Sequence, residues 1–226
     1  FGKVIVNFNS RKSKILKELS KKTNLKYLVI NDALINEITA LCEWPVVYEG
    51  TFDKVFLEIP PEYLILTMQK NQKFIPVRTK NGLSNKFFIV SNICSSLPTN
   101  VIKGNERVLK ARLSDAQFFF NLDQKKNLDE NISSLSKVIY HSKLGNVYDR
   151  TQRLILLTSK WGSSLGLQKE ICERAALLSK ADLTSKMVNE FPELQGVMGR
   201  YYASHSHENI QVSIAIEEHY KPKFSG

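Results

Sequence analysis

The chain has 226 residues, 42% of them apolar and 10% aromatic, which is enough for one large domain or two small ones around a hydrophobic core. Its longest apolar runs, at residues 87–90 and 154–157, are far too short to span a bilayer, and no signal peptide is visible. The net charge of +10 fits either a lysine-rich solubilising surface or a surface that attracts nucleic acid, and composition favours neither.

Helical and extended patterns alternate over the first 70 residues. Apolar spacing predicts helices over residues 10–27 and 32–41, the second capped by Asp32. Residues 44–48 and 55–59 are rich in β-branched and aromatic side chains, which predicts two strands. Pro61 and Glu62 then suit the first turn of a helix that runs to about residue 70.

A hairpin follows. Residues 73–78 and 86–90 read as strands around Asn81 and Gly82, a pair that favours a hairpin turn because both residues tolerate positive φ. Pro76 cannot donate a hydrogen bond to a neighbouring strand. The first strand is therefore predicted to lie at an edge of the sheet or to carry a bulge at Pro76.

After residue 105 the pattern becomes helical. One stripe contains Leu109, Leu113, Ala116 and Phe120, whereas Phe118 points nearly opposite to it. Because large aromatic side chains are usually buried, Phe118 is predicted to pack against a second domain of the same chain; another subunit or a stacked nucleotide are the alternatives. Further helices are predicted over residues 148–161, 168–191, 194–204 and 209–220.

These elements predict an α+β chain with two domains. Residues 1–135 form a mixed α/β domain with a hairpin-containing sheet, and residues 136–226 form an all-helical domain that is truncated at its C-terminal end. Because the chain does not begin with Met, we expect it to be an internal piece of a longer polypeptide.

Charge is distributed unevenly along the chain. Residues 1–30 carry eight basic and one acidic side chain, residues 31–62 carry one basic and seven acidic, and residues 63–112 carry nine basic and one acidic. Such blocks favour a concentrated positive face. Aromatic residues interleave with the last block, as they do on surfaces that follow a phosphate backbone and stack bases. The candidate nucleic-acid-binding residues are Lys70, Lys73, Arg78, Lys80, Lys86, Lys103, Arg107, Lys110 and Arg112.

Catalytic and metal-binding motifs are not evident in the sequence. Three scattered cysteines, without a CxxC pair, fit a reduced cytoplasm and argue against a disulfide framework or a zinc site. Asp182 falls within the predicted helix over residues 168–191, where an ion pair with Lys186 or Arg153 is the expected role.

Long collinear stretches carry a resemblance to a known family. They are EWPVV (43–47), FLEIPPE (56–62), TMQKNQKFIPV (67–77), GNERVLKARLSDAQFFF (104–120), LGNVYDRTQR (144–153), LSKADLT (178–184), EFPELQGVMG (190–199) and HYKPKFSG (219–226). In these stretches the chain closely resembles the beta subunit of bacterial heteromeric glycyl-tRNA synthetase. The likeness covers most of the chain and is weakest over residues 1–40 and 203–212.

The resemblance implies a cytoplasmic heterotetramer that joins glycine to tRNA(Gly) with ATP and Mg²⁺. It further implies that a separate alpha subunit activates the amino acid and that the beta subunit supplies tRNA binding. No cofactor and no catalytic residue are expected in this part of the subunit.

The helical second half resembles the HD-type domain of the family. The resemblance places the His-Asp doublet of HD phosphohydrolases at Ala181 and Asp182, where the histidine is missing. A carboxylate alone is a poor metal site, so the domain is expected to keep the HD scaffold without a metal or hydrolytic chemistry. The alternatives are a metal-dependent HD-type phosphohydrolase and a protein-interaction module that contacts no RNA.

Overall fold

A computed structural model of the protein describes residues 3–222, and the last four residues of the 219–226 stretch lie outside this range. The residues form two compact units, one up to Gln117 and the other from Phe118 onwards, so the division falls within one long helix. The sequence places the domain boundary further along, at residue 135, and that assignment stays a prediction. Helices and small antiparallel sheets make an α+β fold, as predicted.

The first unit consists of an antiparallel three-stranded sheet with surrounding helices, and its strands follow the order β1-β3-β2. The elements are α1 (Phe8–Lys22), α2 (Asp32–Leu41), β1 (Val46–Thr51), α3 (Pro61–Leu66), β2 (Ile75–Thr79), β3 (Gly82–Ser91) and the long helix α4 (Pro98–Asp123). Short 3₁₀ helices occupy Leu25–Tyr27 and Lys54–Glu58, and a π-helical turn at Thr67–Asn71 extends α3.

Both faces of this sheet are apolar. On one face Phe88 joins Ile15 and Leu19 of α1 and Ile35 and Ile38 of α2 in a buried cluster. Because successive strand residues point to opposite faces, the neighbouring Phe87 faces the other side. There its ring lies 4.8 Å from the ring of Phe74 and 6.4 Å from that of Phe52.

The hairpin prediction is confirmed. β2 and β3 pair as antiparallel strands through Thr79 and Gly82. The strand that contains Pro76 lies at the edge of the sheet, and its register shifts between Pro76 and Arg78. The edge position and the bulge both follow from the missing N–H of proline.

The predicted strand over residues 55–59 is wrong, because Lys54–Glu58 forms a 3₁₀ helix. The Asp53 side chain accepts a hydrogen bond from the Val55 N–H and starts the turn. Phe56 and Ile59, three residues apart, are then both buried. Local capping and this spacing outweighed the strand propensity of valine and isoleucine.

The second unit is mainly helical. After the end of α4 come a 3₁₀ helix at Leu128–Lys137 and the helices α5 (Val147–Ser164), α6 (Lys169–Leu178), α7 (Lys186–Glu190), α8 (Val197–His205) and α9 (Ile210–Glu218). The expectation of an all-helical domain is wrong in one place, because β4 (Ile139–His141) and β5 (Gly145–Asn146) form a two-stranded ribbon. Within residues 3–222, none of the helices combines the length and hydrophobicity needed to cross a membrane.

The single helix predicted over residues 168–191 is also wrong. α6 ends at Leu178, Ala181–Thr184 forms a 3₁₀ turn, and α7 begins after Ser185, whose Oγ accepts a hydrogen bond from the Val188 N–H. Apolar residues at helical spacing continue across both helices, so periodicity alone could not reveal the break. The capping serine was the available signal.

Two glycines allow a matched test of the sheet packing. A Cβ on Gly50 would lie 2.8 Å from the Phe87 ring, whereas a Cβ on Gly104 in α4 would meet nothing within 4 Å. We expect Gly50→Ala to lower the free energy of unfolding by about 1–3 kcal/mol through overpacking. Gly104→Ala should raise it by about 0.5–1 kcal/mol, because alanine favours helix. Chemical denaturation of both variants measures the difference, and equal stability of the two would contradict this packing.

Candidate nucleic-acid interface

Three of the predicted basic residues form a stripe on α4. Lys103, Arg107 and Lys110 are exposed. Their spacing of four and then three residues puts them on one side of the helix. Arg112 is also exposed, but nine residues after Lys103 it points to roughly the opposite side, about 180° away. The structure therefore groups three of the four α4 candidates and separates the fourth.

α4 is attached to the sheet next to this basic stripe. Glu106 accepts hydrogen bonds from the backbone N–H of Thr51 (2.7 Å) and from its hydroxyl (3.1 Å). Thr51 is the last residue of β1 and pairs with Lys86 on β3. Leu109 is fully buried, three residues after Glu106. This attachment leaves the basic stripe exposed along one flank of the buried face of α4.

The hairpin candidates differ in how far their charge is compensated. Arg78 and Lys80 are exposed around the turn. Lys70 is exposed after α3 and has an interaction partner of its own. The ammonium of Lys73 lies 2.7 Å from the Glu37 carboxylate, and that of Lys86 lies 2.8 Å from the Glu49 carboxylate. Those two lysines present less net charge to a polyanion than the sequence suggests.

The predicted stacking aromatics are not available on the sheet. Phe74, Phe87 and Phe88 are all buried. Phe118 in the second unit is 63% exposed, so its predicted burial is wrong. Its ring contacts that of Phe119, with the centroids 5.8 Å apart. None of the three phenylalanines on and next to the sheet is therefore exposed for base stacking.

The second unit contains a buried carboxylate at Asp182, the position that resembles the HD doublet. One carboxylate oxygen, Oδ2, accepts hydrogen bonds from the backbone N–H groups of Gly196 (2.6 Å) and Gly199 (3.0 Å). The other oxygen, Oδ1, is buried without a hydrogen-bond partner. The predicted ion pair with Lys186 or Arg153 is wrong, because backbone amides hold the carboxylate.

The two residues that donate these N–H groups must be glycine. A Cβ on Gly199 would lie 2.6 Å from Ile216 Cγ2 and 3.0 Å from Asp182 Oδ2. A Cβ on Gly196, which has φ of +81°, would lie 2.6 Å from the Tyr220 ring. The G-x-x-G spacing at residues 196–199 is the sequence signal that could have located the partners of Asp182.

Titratable groups that the sequence did not single out surround Asp182. The Lys180 Nζ lies 2.7 Å from His219 Nε2 and 3.8 Å from the centroid of the Tyr220 ring. Burial lowers the pKa of Lys180 to about 8, with nearby Arg150 adding to the effect. Partial burial and the charge of Lys180 lower the pKa of His219 to about 4. At neutral pH the lysine therefore donates a hydrogen bond to a neutral imidazole.

Burial also raises the pKa of Asp182 to about 6, although the two glycine N–H groups oppose this shift. Among residues 3–222, no three His, Cys, Asp or Glu side chains are placed to hold a metal ion together. The Lys180 ammonium next to the carboxylate also disfavours a divalent cation. That this unit binds no metal stays a prediction.

The matching family model and the known proteins that resemble the chain point to the same family. The family model described as glycyl-tRNA synthetase beta subunit matches residues 2–226. The chain is 47% identical over 229 residues to the glycine–tRNA ligase beta subunit of Neisseria meningitidis serogroup C. It is 48% identical over 230 residues to that of Methylobacillus flagellatus and 47% identical over 226 residues to that of Ralstonia nicotianae.

These alignments cover 100% of the chain and 33%, 32% and 32% of the three relatives in the same order. The chain therefore spans about a third of the length of the curated relatives it matches.

The raised pKa of Asp182 predicts how Asp182→Asn changes the pH dependence of stability. Between about pH 4 and 6 the folded protein binds more protons at Asp182 than the unfolded chain does, so the free energy of unfolding falls as pH rises. Asparagine keeps an oxygen for the glycine N–H groups and cannot ionise. The stability of Asp182→Asn relative to wild type should therefore increase over this range by up to about 3 kcal/mol and level off above about pH 7.

Chemical denaturation of both proteins at several pH values measures this difference. His219 has the opposite dependence, because its lowered pKa removes stability as pH falls from about 6.5 to 4. That contribution is present in both proteins and cancels in the comparison. A stability difference that stays constant between pH 4 and 7 would show that Asp182 ionises normally.

Proposed function

Because the chain belongs to the glycyl-tRNA synthetase beta subunit family, we propose that it forms a tRNA-binding part of the enzyme that joins glycine to tRNA(Gly). Bond formation, with its ATP and Mg²⁺, takes place on a separate alpha subunit, and the two kinds of subunit assemble into a heterotetramer. The observation that carries the proposal is the exposed basic stripe of Lys103, Arg107 and Lys110 on α4.

The excess of positive charge lies in the unit that contains this stripe. Residues 1–117 carry 18 basic and 10 acidic side chains, whereas residues 118–226 carry 14 basic and 12 acidic. A tRNA is a dense polyanion, and neutralising its phosphates releases bound counterions. The first unit therefore supplies the favourable long-range electrostatics for docking.

The stripe is well placed for phosphate contacts because its charges are uncompensated. Within the described residues, none of Lys103, Arg107 and Lys110 forms an ion pair with an acidic side chain. Folded RNA is recognised largely through its shape and its backbone, so a rigid helix with evenly spaced cations needs no base-reading motif.

The hairpin carries further cations of the first unit. Arg78 pairs with Leu83, three residues before Lys86 on β3, and Lys86 lies across from the Thr51 that anchors α4. Arg78 and Lys80 lie at the edge of the sheet opposite to β1, so they form a second exposed basic group of the first unit. Lys73 and Lys86 contribute less because each is paired with a glutamate. Arg112 belongs to the other flank of α4 and is expected to be peripheral.

Charge reversal tests this assignment. The triple variant K103E/R107E/K110E, made in the complete two-subunit enzyme, should raise the Kd for tRNA at least tenfold. The logarithm of the association constant falls linearly with the logarithm of the salt concentration. The variant should make this slope less steep by about two to three units, roughly one for each lost phosphate contact. Fluorescence anisotropy with labelled tRNA over a salt series measures both quantities. Glycine activation, followed by pyrophosphate exchange, should stay unchanged.

A matched control reverses the same number of exposed charges elsewhere in the first unit. Lys17, Lys22 and Lys26 lie on and after α1 and are exposed. The variant K17E/K22E/K26E should change the Kd for tRNA by less than the α4 triple does. If the two triples weaken binding equally, the effect comes from overall charge and the assignment to α4 is wrong. If the α4 triple binds tRNA as wild type does, this surface is not the tRNA-binding site.

A further inference from the structure

The second unit has an apolar surface that nothing in the described residues covers. Trp161 on α5 is 64% exposed, and Leu157, one turn before it, is 47% exposed. Leu165, one turn after it, is 73% exposed. Large exposed apolar side chains that cluster in this way usually mark an interaction site, because single exposed apolar residues are common but contiguous patches are not.

This surface lies beside the face that α5 uses inside its own unit. α5 packs on α6 through Gly162, where an added Cβ would lie 2.7 Å from the Cys172 sulfur. Thr158 on the same side donates a hydrogen bond to the Cys172 carbonyl, at 3.4 Å. Leu157 lies about 140° around the helix from Gly162, so it points away from α6.

The spacing of the exposed residues suits a second helix. Leu154, Leu157, Trp161 and Leu165, which we call the α5 stripe, are separated by three, four and four residues. Residues at these intervals form a ridge that fits the groove of a neighbouring helix. Leu154 is half-buried, so the exposed part of the stripe is continuous with the apolar interior of the second unit.

The charges beside the stripe indicate which charge a helix bound there would carry. Arg153 and Lys160 are exposed on the side away from α6. Neither forms an ion pair with an acidic side chain in residues 3–222. A helix with acidic residues next to an apolar stripe would bury the leucines and form ion pairs with these two cations. RNA would leave the leucines without apolar partners.

The length of the relatives indicates where the occupant comes from. The chain spans 33% of the Neisseria relative, so most of a beta subunit of that length lies outside it. A segment of the same polypeptide is present at high effective concentration and is never released. Permanent interfaces of that kind are the most apolar ones, as this surface is.

We propose that the α5 stripe is covered by an amphipathic helix from the part of the same beta subunit that lies outside residues 1–226, with acidic residues beside its apolar face. The proposal rests on membership of the family and is independent of the tRNA-binding role of the first unit.

Photo-crosslinking in the complete two-subunit enzyme tests it. Benzoylphenylalanine replaces Trp161 in one variant and Gln152 in a control, because Gln152 is exposed on α5 about 180° away. Irradiation and peptide mass spectrometry should find position 161 joined to a beta-subunit peptide from outside residues 1–226. That product should form with at least tenfold higher yield than any from position 152.

Isotope-mixed enzyme, assembled from light and heavy beta subunits, shows whether a crosslink lies within one copy. Light-with-light and heavy-with-heavy products alone support the proposal. Mixed products would mean that a second copy covers the stripe, and a product with the alpha subunit or with tRNA would mean that a different partner does. Each of these results overturns the proposal, and so does the absence of any crosslink at position 161.

A second measurement does not depend on crosslinking yield. Trp161→Glu should lower the Tm of the complete enzyme by several degrees, because it places a carboxylate in an apolar contact. Gln152→Glu adds the same charge at the control position and should leave the Tm unchanged. Equal Tm values for the two variants would show that position 161 remains exposed to solvent in the assembled enzyme.

Discussion

The free-energy cost of burying charge governs the arrangement of both units. In the first unit Phe87 and Phe88 occupy successive positions of β3 and therefore face opposite sides of the sheet, and both are buried. Each face of this sheet therefore buries a phenylalanine of β3. The charged side chains stay in contact with solvent: Lys86 of β3 is exposed and paired with Glu49 of β1, and Arg78 is exposed on β2. The basic stripe of α4 likewise lies on an exposed flank of the helix.

The second unit shows what is needed when a charge is buried. Asp182 has no exposed surface, and its Oδ2 receives two backbone N–H groups from residues 196 and 199. A Cβ at residue 199 would lie 3.0 Å from that oxygen, and one at residue 196 would lie 2.6 Å from the Tyr220 ring, so both positions require glycine. Even so, burial raises the pKa of the carboxyl. These hydrogen bonds connect the 3₁₀ turn at Ala181–Thr184 to the start of α8. The carboxylate at the position that resembles a metal ligand therefore has a structural role.

The two units thus have different kinds of unsatisfied surface. The first presents cations on α4 that have no acidic partner among the described residues, and negatively charged groups would compensate them. The second presents leucines and a tryptophan on α5, which only apolar contact satisfies. Electrostatic attraction is long-ranged and reversible with salt, whereas apolar burial is short-ranged and insensitive to salt. The first surface therefore suits a charged partner that binds reversibly, and the second suits a permanent neighbour.

The family could be predicted from long stretches of similar sequence. The α+β class, the hairpin at Asn81 and Gly82 and the buried stripe of α4 could be predicted from residue spacing and local turn chemistry. Three features became visible only in the folded chain: Lys73 and Lys86 are paired with glutamates, Phe118 is exposed, and glycine amides hold Asp182. Those outcomes depend on residues distant in sequence, such as Glu37 from Lys73 and Gly196 from Asp182, and no local pattern encodes which distant groups come within a hydrogen-bond length.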